Sequence, residues 1–175
     1  MRFYALTVVV TALVTLGLTA IVWKLGLRFR LYPEIRERDV HTTPKPRIGG
    51  VAMYIGILAA FALSSRIPYF AIIWNDPARI WSILGAATLI VIIGVADDLW
   101  DLDWMIKLGA QFLAAGVVVG FGGIQIFAIP LGQQFVVSSW MSFVLSVFAI
   151  VIVMNAVNFI DGLDGLVAGV ALIAN

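Results

Sequence analysis

Five apolar runs of about 17 to 23 residues, broken by shorter polar stretches, constrain this 175-residue chain more than any other feature. The hydrocarbon of a bilayer is ~30 Å thick, and a helix needs ~20 apolar residues to cross it. An open sheet edge in lipid would leave backbone groups unpaired, so such runs predict helices. The expected spans cover residues 4–26, 48–65, 80–96, 105–121 and 140–157, with the start of a sixth near Gly165. The fold class that follows is an all-α membrane protein, a polytopic transmembrane helix bundle. Composition agrees: 12% of residues are charged, about half the ~25% of a soluble domain. That is too few to coat a globular surface.

The first run, Phe3 to Trp23, is followed by Lys24, Arg28 and Arg30 rather than by a small-residue cleavage site. It reads as a retained anchor and not as a signal peptide. There are no cysteines and one histidine. Disulfides, thiolate metal sites, cysteine nucleophiles and multi-histidine zinc sites are thereby excluded within the chain. A net charge of +1 says little about partners; no nucleic-acid partner is expected.

The placement of charge says more than its sum. Lys24, Arg28, Arg30, Arg36, Arg38, Lys45, Arg47 and Lys107 fall on one side of the expected spans, and Arg2, Arg66 and Arg79 on the other. The excess of basic residues predicts that the 28–47 loop is cytoplasmic and the N-terminus outside. Nine of the ten acids share the cytoplasmic side, Asp76 being the exception. Acids contribute little to topology, so this bias asks for another cause. On the outer side, Ile124–Ile129 and Gln134–Val137, separated by Pro130, Leu131 and Gly132, read as a short β-hairpin that caps the surface.

Four features at the cytoplasmic face are candidates for chemistry. Asp97 and Asp98 end an apolar helix in the run Gly94 to Asp103. Adjacent buried anions are costly unless a divalent metal or another cation lies between them; Asp101 and Asp103 read as an ordinary solvated helix end. In the run Asn155 to Leu166, Asn155, Asn158, Asp161 and Asp164 recur every three residues, and Gly162 and Gly165 allow a break that would gather them. Amide and carboxylate oxygens suit Mg2+, which is commonly shared with substrate phosphates; asparagine bonding between helices is the plainer alternative. The run His41 to Gly50 carries Lys45 and Arg47, which suit phosphate, before two glycines that permit close approach. A positive-inside flank would look similar. Lys107 opens the next span ten residues after Asp97, where it either snorkels to headgroups or faces the paired acids. Together these are the parts of a phosphoryl-transfer site at a membrane surface, where catalysis is largely positioning and charge neutralisation.

These residues resemble the polyprenyl-phosphate N-acetylhexosamine-1-phosphate transferases (glycosyltransferase family 4), the group that includes the phospho-MurNAc-pentapeptide translocase. His41 to Gly50 is similar to the family's first cytoplasmic motif. Asp97-Asp98 with Lys107 resembles the second, and Asn155 to Leu166 the third. The short Leu99–Ile106 segment is closer to the GlcNAc-1-phosphate branch, which acts on undecaprenyl phosphate. Asp39 departs from the lysine common near that position.

The resemblance implies an enzyme of the bacterial plasma membrane that transfers a sugar 1-phosphate from a UDP-sugar, expected to be UDP-GlcNAc, to polyprenyl phosphate and releases UMP. Mg2+ is the implied cofactor, with Mn2+ as a substitute. It further implies that Asp97 orients or deprotonates the lipid phosphate, that Asp98 supports it and the metal shell, and that Lys107 holds the diphosphate. Asn158 is the implied metal ligand beside Asp97 and Asp98. Asp161 and Asp164 would shape the nucleotide pocket, while Asn155, His41, Lys45 and Arg47 would contact substrate or shape the loops. The family has about twice as many spans, so residues 1–175 are expected to form the N-terminal portion of a larger, about ten-span domain. The bilayer is an implied partner, and a homodimer stays open. The competing readings are another UDP-N-acetyl sugar such as UDP-MurNAc-pentapeptide, a non-catalytic membrane scaffold, and an ion-coupled transporter.

Overall fold

The structure is a computed structural model and describes residues 2–28, 49–131, 133–136, 138–160 and 169–170. Five α-helices account for most of these: α1 (Arg2–Arg28), α2 (Gly49–Ser64), α3 (Pro77–Trp100), α4 (Trp104–Gly120) and α5 (Ser139–Ile160). Two single-turn 3-10 helices, Pro68–Phe70 and Ile73–Asn75, join α2 to α3. Each of the pairs α1–α2, α2–α3, α3–α4 and α4–α5 packs together, so helices that follow one another in the chain are neighbours in space.

Three of the helices, α1, α3 and α5, are long and apolar enough to cross a membrane. With two shorter apolar helices between them, the protein is a multi-pass membrane protein. The expected count of five full spans is corrected to three on length and composition. α2 has 16 residues and α4 has 17, giving lengths of about 24 and 26 Å at ~1.5 Å per residue. Local chemistry stops them early. At the end of α2, Ser64 and Ser65 donate to the carbonyls of Phe61 and Ala62, each at 2.8 Å, and Pro68 opens a 3-10 turn. α4 runs into Gly120, Gly122 and Gly123, the last with φ of +62°, where a side chain would be strained. The expected sixth span, from Gly165, lies almost wholly outside the described residues.

The helix contacts rest on small residues, as expected where lipid removes the hydrophobic drive between helices. Ala52 and Gly56 are the buried part of the α2 face. A Cβ on Gly56 would run into the Thr15 hydroxyl of α1 and lie 3.2 Å from the Thr15 Cβ. The Tyr54 hydroxyl of α2 hydrogen-bonds Thr88 on α3. Between α4 and α5, Ala115 and Val119 pack on Val147 and Val151, flanked by Leu108, Phe112, Phe143 and Ile150. Outward faces stay apolar and exposed, as at Val8, Leu16, Ile92 and Ile152. All six tryptophans lie at or near helix ends: Trp23, Trp74, Trp81, Trp100, Trp104 and Trp140. That is where the amphipathic indole meets the headgroup level.

Between α4 and α5, β1 (Ala128–Leu131) pairs antiparallel with β2 (Gln133–Val136), with Ala128 opposite Val136 and Leu131 opposite Gln133. The expected hairpin is thus displaced and shortened. Residues 124–127 are not strand, and Pro130 and Leu131, expected in the turn, are paired. Every strand of a two-stranded ribbon is an edge, so a proline lacking its N–H is tolerated there. Buried polar groups tie the ribbon's approach to α5. The Ile126 N–H donates to Ser146 Oγ at 2.8 Å, and Ser142 Oγ donates to Gln125 Oε1 at 3.2 Å.

Candidate active site

The candidate site grows from the turn between α3 and α4. Asp97 and Asp98 occupy the last turn of α3, which ends at Trp100. Asp101 then adopts a left-handed conformation with φ of +50°, and its N–H donates to the Asp97 carbonyl at 2.8 Å. Aspartate tolerates this conformation better than most residues. Asp103 is the N-cap of α4, its carboxylate accepting from the Met105 N–H at 2.8 Å. Asp101 and Asp103 therefore build the helix connection, in keeping with their reading as an ordinary helix end.

So tight a turn brings the first turn of α4 back against the last turn of α3. The Lys107 Nζ lies 3.1 Å from Asp97 Oδ1 and donates to Oδ2 at 3.3 Å. Oδ1 is shielded from solvent and accepts no hydrogen bond among the described residues. The ammonium is within ion-pairing distance of it but out of line for a hydrogen bond. Of the two readings of Lys107, it is the one facing the paired acids that the geometry matches, at Asp97. Asp98 is half-buried next in the chain.

The asparagines arrive on α5. Asn155 is half-buried, and its Nδ2 donates to Gln111 Oε1 at 2.7 Å and to the Val151 carbonyl at 2.8 Å. Asn158, nearly one turn further, is exposed. Gln111 follows Lys107 by four residues, so the two share a face of α4. One polar line therefore crosses three helices: Asp97 on α3, Lys107 and Gln111 on α4, Asn155 on α5. Gln111 did not stand out in the sequence. Its one signal was a polar side chain inside an apolar helix at helical spacing from Lys107.

His41, Lys45 and Arg47 lie outside the described residues, as do Asp161, Asp164 and the glycine break expected at Gly162 and Gly165. α5 is described to Ile160. Among the described residues no three histidines or acids cluster as a metal site. Donor types that suit a hard cation are present, the carboxylates of Asp97 and Asp98 and the exposed amide of Asn158, with Asp97 already engaged by the Lys107 ammonium.

Comparison with known proteins places this arrangement in context. The family model for glycosyl transferase family 4 matches residues 80–175, more than half of the chain. The chain is 40% identical to the decaprenyl-phosphate N-acetylglucosaminephosphotransferase of Mycobacterium leprae, over 99% of its own length and 44% of that protein's. It is 32% identical to a probable undecaprenyl-phosphate N-acetylglucosaminyl 1-phosphate transferase of Bacillus subtilis, over 94% of this chain and 44% of that one. With the undecaprenyl-phosphate alpha-N-acetylglucosaminyl 1-phosphate transferase of Escherichia coli K12 the identity is 28%, over 81% and 36%. The chain thus spans less than half the length of these curated relatives. No solved structure matches it significantly. The matched region contains the α3–α4 turn, the helix that bears Lys107 and Gln111, and the asparagines of α5: the chain belongs to glycosyl transferase family 4.

Proposed function

We propose that this chain is the N-terminal portion of a membrane transferase that moves GlcNAc 1-phosphate from UDP-GlcNAc to polyprenyl phosphate. In this reaction an oxygen of the lipid phosphate forms a bond to the β-phosphorus of the sugar nucleotide. The bond from that phosphorus to the bridging oxygen breaks, and UMP leaves with the electron pair. The observation that carries the reading is the pair of polar contacts by which Lys107 and Gln111, one turn apart on α4, engage Asp97 on α3 and Asn155 on α5. The names of the relatives support GlcNAc as the sugar over the MurNAc-pentapeptide alternative.

Lys107 holds Asp97 in place and supplies positive charge for a diphosphate. Asp97 orients the lipid phosphate, with Asp98 as its support. Asp161 and Asp164 shape the nucleotide pocket, while His41, Lys45 and Arg47 supply phosphate contacts from the 28–47 loop. Asn158, Asp97 and Asp98 would hold Mg2+, or Mn2+ in its place. The bound ion neutralises charge between the two phosphate-bearing substrates. The excess of basic residues beside the site supports a cytoplasmic active face with the N-terminus outside. A scaffold needs no such line of interacting polar groups, and an ion-coupled transporter would place its ionisable residues near the midplane on broken helices.

Exchange of radiolabelled UMP into UDP-GlcNAc tests the reading, with the full-length protein in membranes containing polyprenyl phosphate and Mg2+. Asp97→Asn and Asp164→Asn should each abolish exchange at unchanged expression. Full activity in both variants would overturn the proposal.

A further inference from the structure

Asn155 is held more tightly than a helix contact alone requires. The Val151 carbonyl can only accept, so the Asn155 atom 2.8 Å from it is the amide nitrogen. The same nitrogen stands 2.7 Å from the Gln111 side chain, which must then present its oxygen. Both hydrogens of the Asn155 amide are thereby committed, and only the carbonyl oxygen is left to offer. The side chain is half-buried, which suits a group that meets a ligand. Gln111 is half-buried as well, one turn beyond the lysine that holds Asp97.

We propose that Gln111 is a positioning residue that takes up the Asn155 amide hydrogen left over by the Val151 carbonyl and so holds Asn155 as a pure acceptor, so that Asn155 takes an electropositive ligand and rejects a phosphate oxygen. An unconstrained asparagine can present either end of its amide and greets donors and acceptors alike. Fixed in this way, it discriminates by charge. The ligand chemistry is a divalent cation or an N–H or O–H donor of the sugar nucleotide. This inference rests on the reaction proposed above, and it gives α4 two successive roles, since one turn fixes the acid of α3 and the next fixes the amide of α5.

The test uses the full-length protein in membrane vesicles, with Gln111→Met, which keeps the shape and removes the acceptor, and Gln111→Glu, which keeps an acceptor. Gln111→Asn, too short to reach across 2.7 Å, runs in parallel in case the methionine variant fails to accumulate. Loss of one positioning hydrogen bond is worth about 5- to 10-fold in apparent affinity. A rise of that size in the Mg2+ concentration for half-maximal UMP exchange identifies the cation. The same rise in KM for UDP-GlcNAc identifies the donor. Gln111→Glu should recover most of the loss, and Gln111→Met should add nothing in an Asn155→Ala background. The inference is overturned if Gln111→Met lowers only the melting temperature and leaves both dependences unchanged, or if the Gln111 and Asn155 effects simply multiply. Thermal shifts induced by Mg2+ alone and by UDP-GlcNAc alone separate the two levels. If the wild type shows no exchange but keeps a shift that Gln111→Met weakens, the reaction falls and the role of Gln111 stands. If neither ligand shifts the wild type, the role of Gln111 falls.

Discussion

Removing the ammonium of Lys107 should destabilise the helix pair by a predictable amount. At 3.1 Å and an effective dielectric constant of ~20, the gross attraction to Asp97 is about 5 kcal/mol. Desolvation and solvent screening offset most of it. The Lys107 side chain is 38% exposed and that of Asp97 29%, so the pair lies between two measured regimes: exposed pairs are worth ~0.2–1 kcal/mol and truncated buried ones cost ~3–5 kcal/mol. Lys107→Met removes the ammonium that stands beside the shielded Oδ1 of Asp97, and the expected loss is about 1–2 kcal/mol. For a domain of this size that is a fall in melting temperature of about 2–8 °C, read by thermal unfolding in detergent. The decisive variant is the double replacement Asp97→Asn with Lys107→Met. With neither charge left alone, it should lose less than the sum of the single changes by more than ~0.5 kcal/mol. Strict additivity would refute the claim that the two groups stabilise one another.

Two more perturbations follow from the packing. Gly56→Ala drives a methyl group into the Thr15 hydroxyl across the α1–α2 contact and should cost about 1–3 kcal/mol of thermal stability. Adding Thr15→Ala should return part of it, and a Gly56→Ala melting temperature equal to the wild type's would argue against so close a crossing. Ser146→Ala removes the acceptor of the Ile126 N–H, at a local cost of about 1–3 kcal/mol. Hydrogen exchange over residues 121–138 should then accelerate while that of α1 and α2 stays unchanged, and equal exchange in both forms would show that Ser146 does not tether the ribbon.

Much of this arrangement was legible in the sequence because the bilayer imposes a length code. The apolar runs give α1, α3 and α5 to within four residues at each end; α3 begins before the apolar run, at Pro77, where Asp76 caps it. α2 and α4 were over-counted because hydropathy does not register a helix that stops. Ser64, Ser65 and the glycines after Val119 end their helices by local backbone bonding and conformational freedom within stretches still apolar on average. The ribbon was misplaced because Pro130 reads as a turn residue, whereas an edge position gives it a place in a strand. Within the site, the spacing of Lys107 across a short connection left two readings, snorkelling to headgroups or facing the paired acids, and the ammonium lies on Asp97. Gln111 was not legible, since a lone amide carries no sign of its partner until the helix 44 residues later is laid beside it.

The shortness of α4 bears on how a lipid would reach the site. At about 26 Å the helix falls roughly 4 Å short of a ~30 Å hydrocarbon layer. A helix of that length crosses only where the lipid thins or where one of its ends sits below the level of the neighbouring headgroups. Where that end is the one bearing Lys107, the membrane surface dips where Asp97 and Lys107 meet. In the reaction proposed above, a long-chain lipid phosphate would then meet the ammonium from the side, with its tail still in the acyl layer, while a water-soluble nucleotide would come down from above. The depression would sort the two substrates by their solvent before any side chain selects between them.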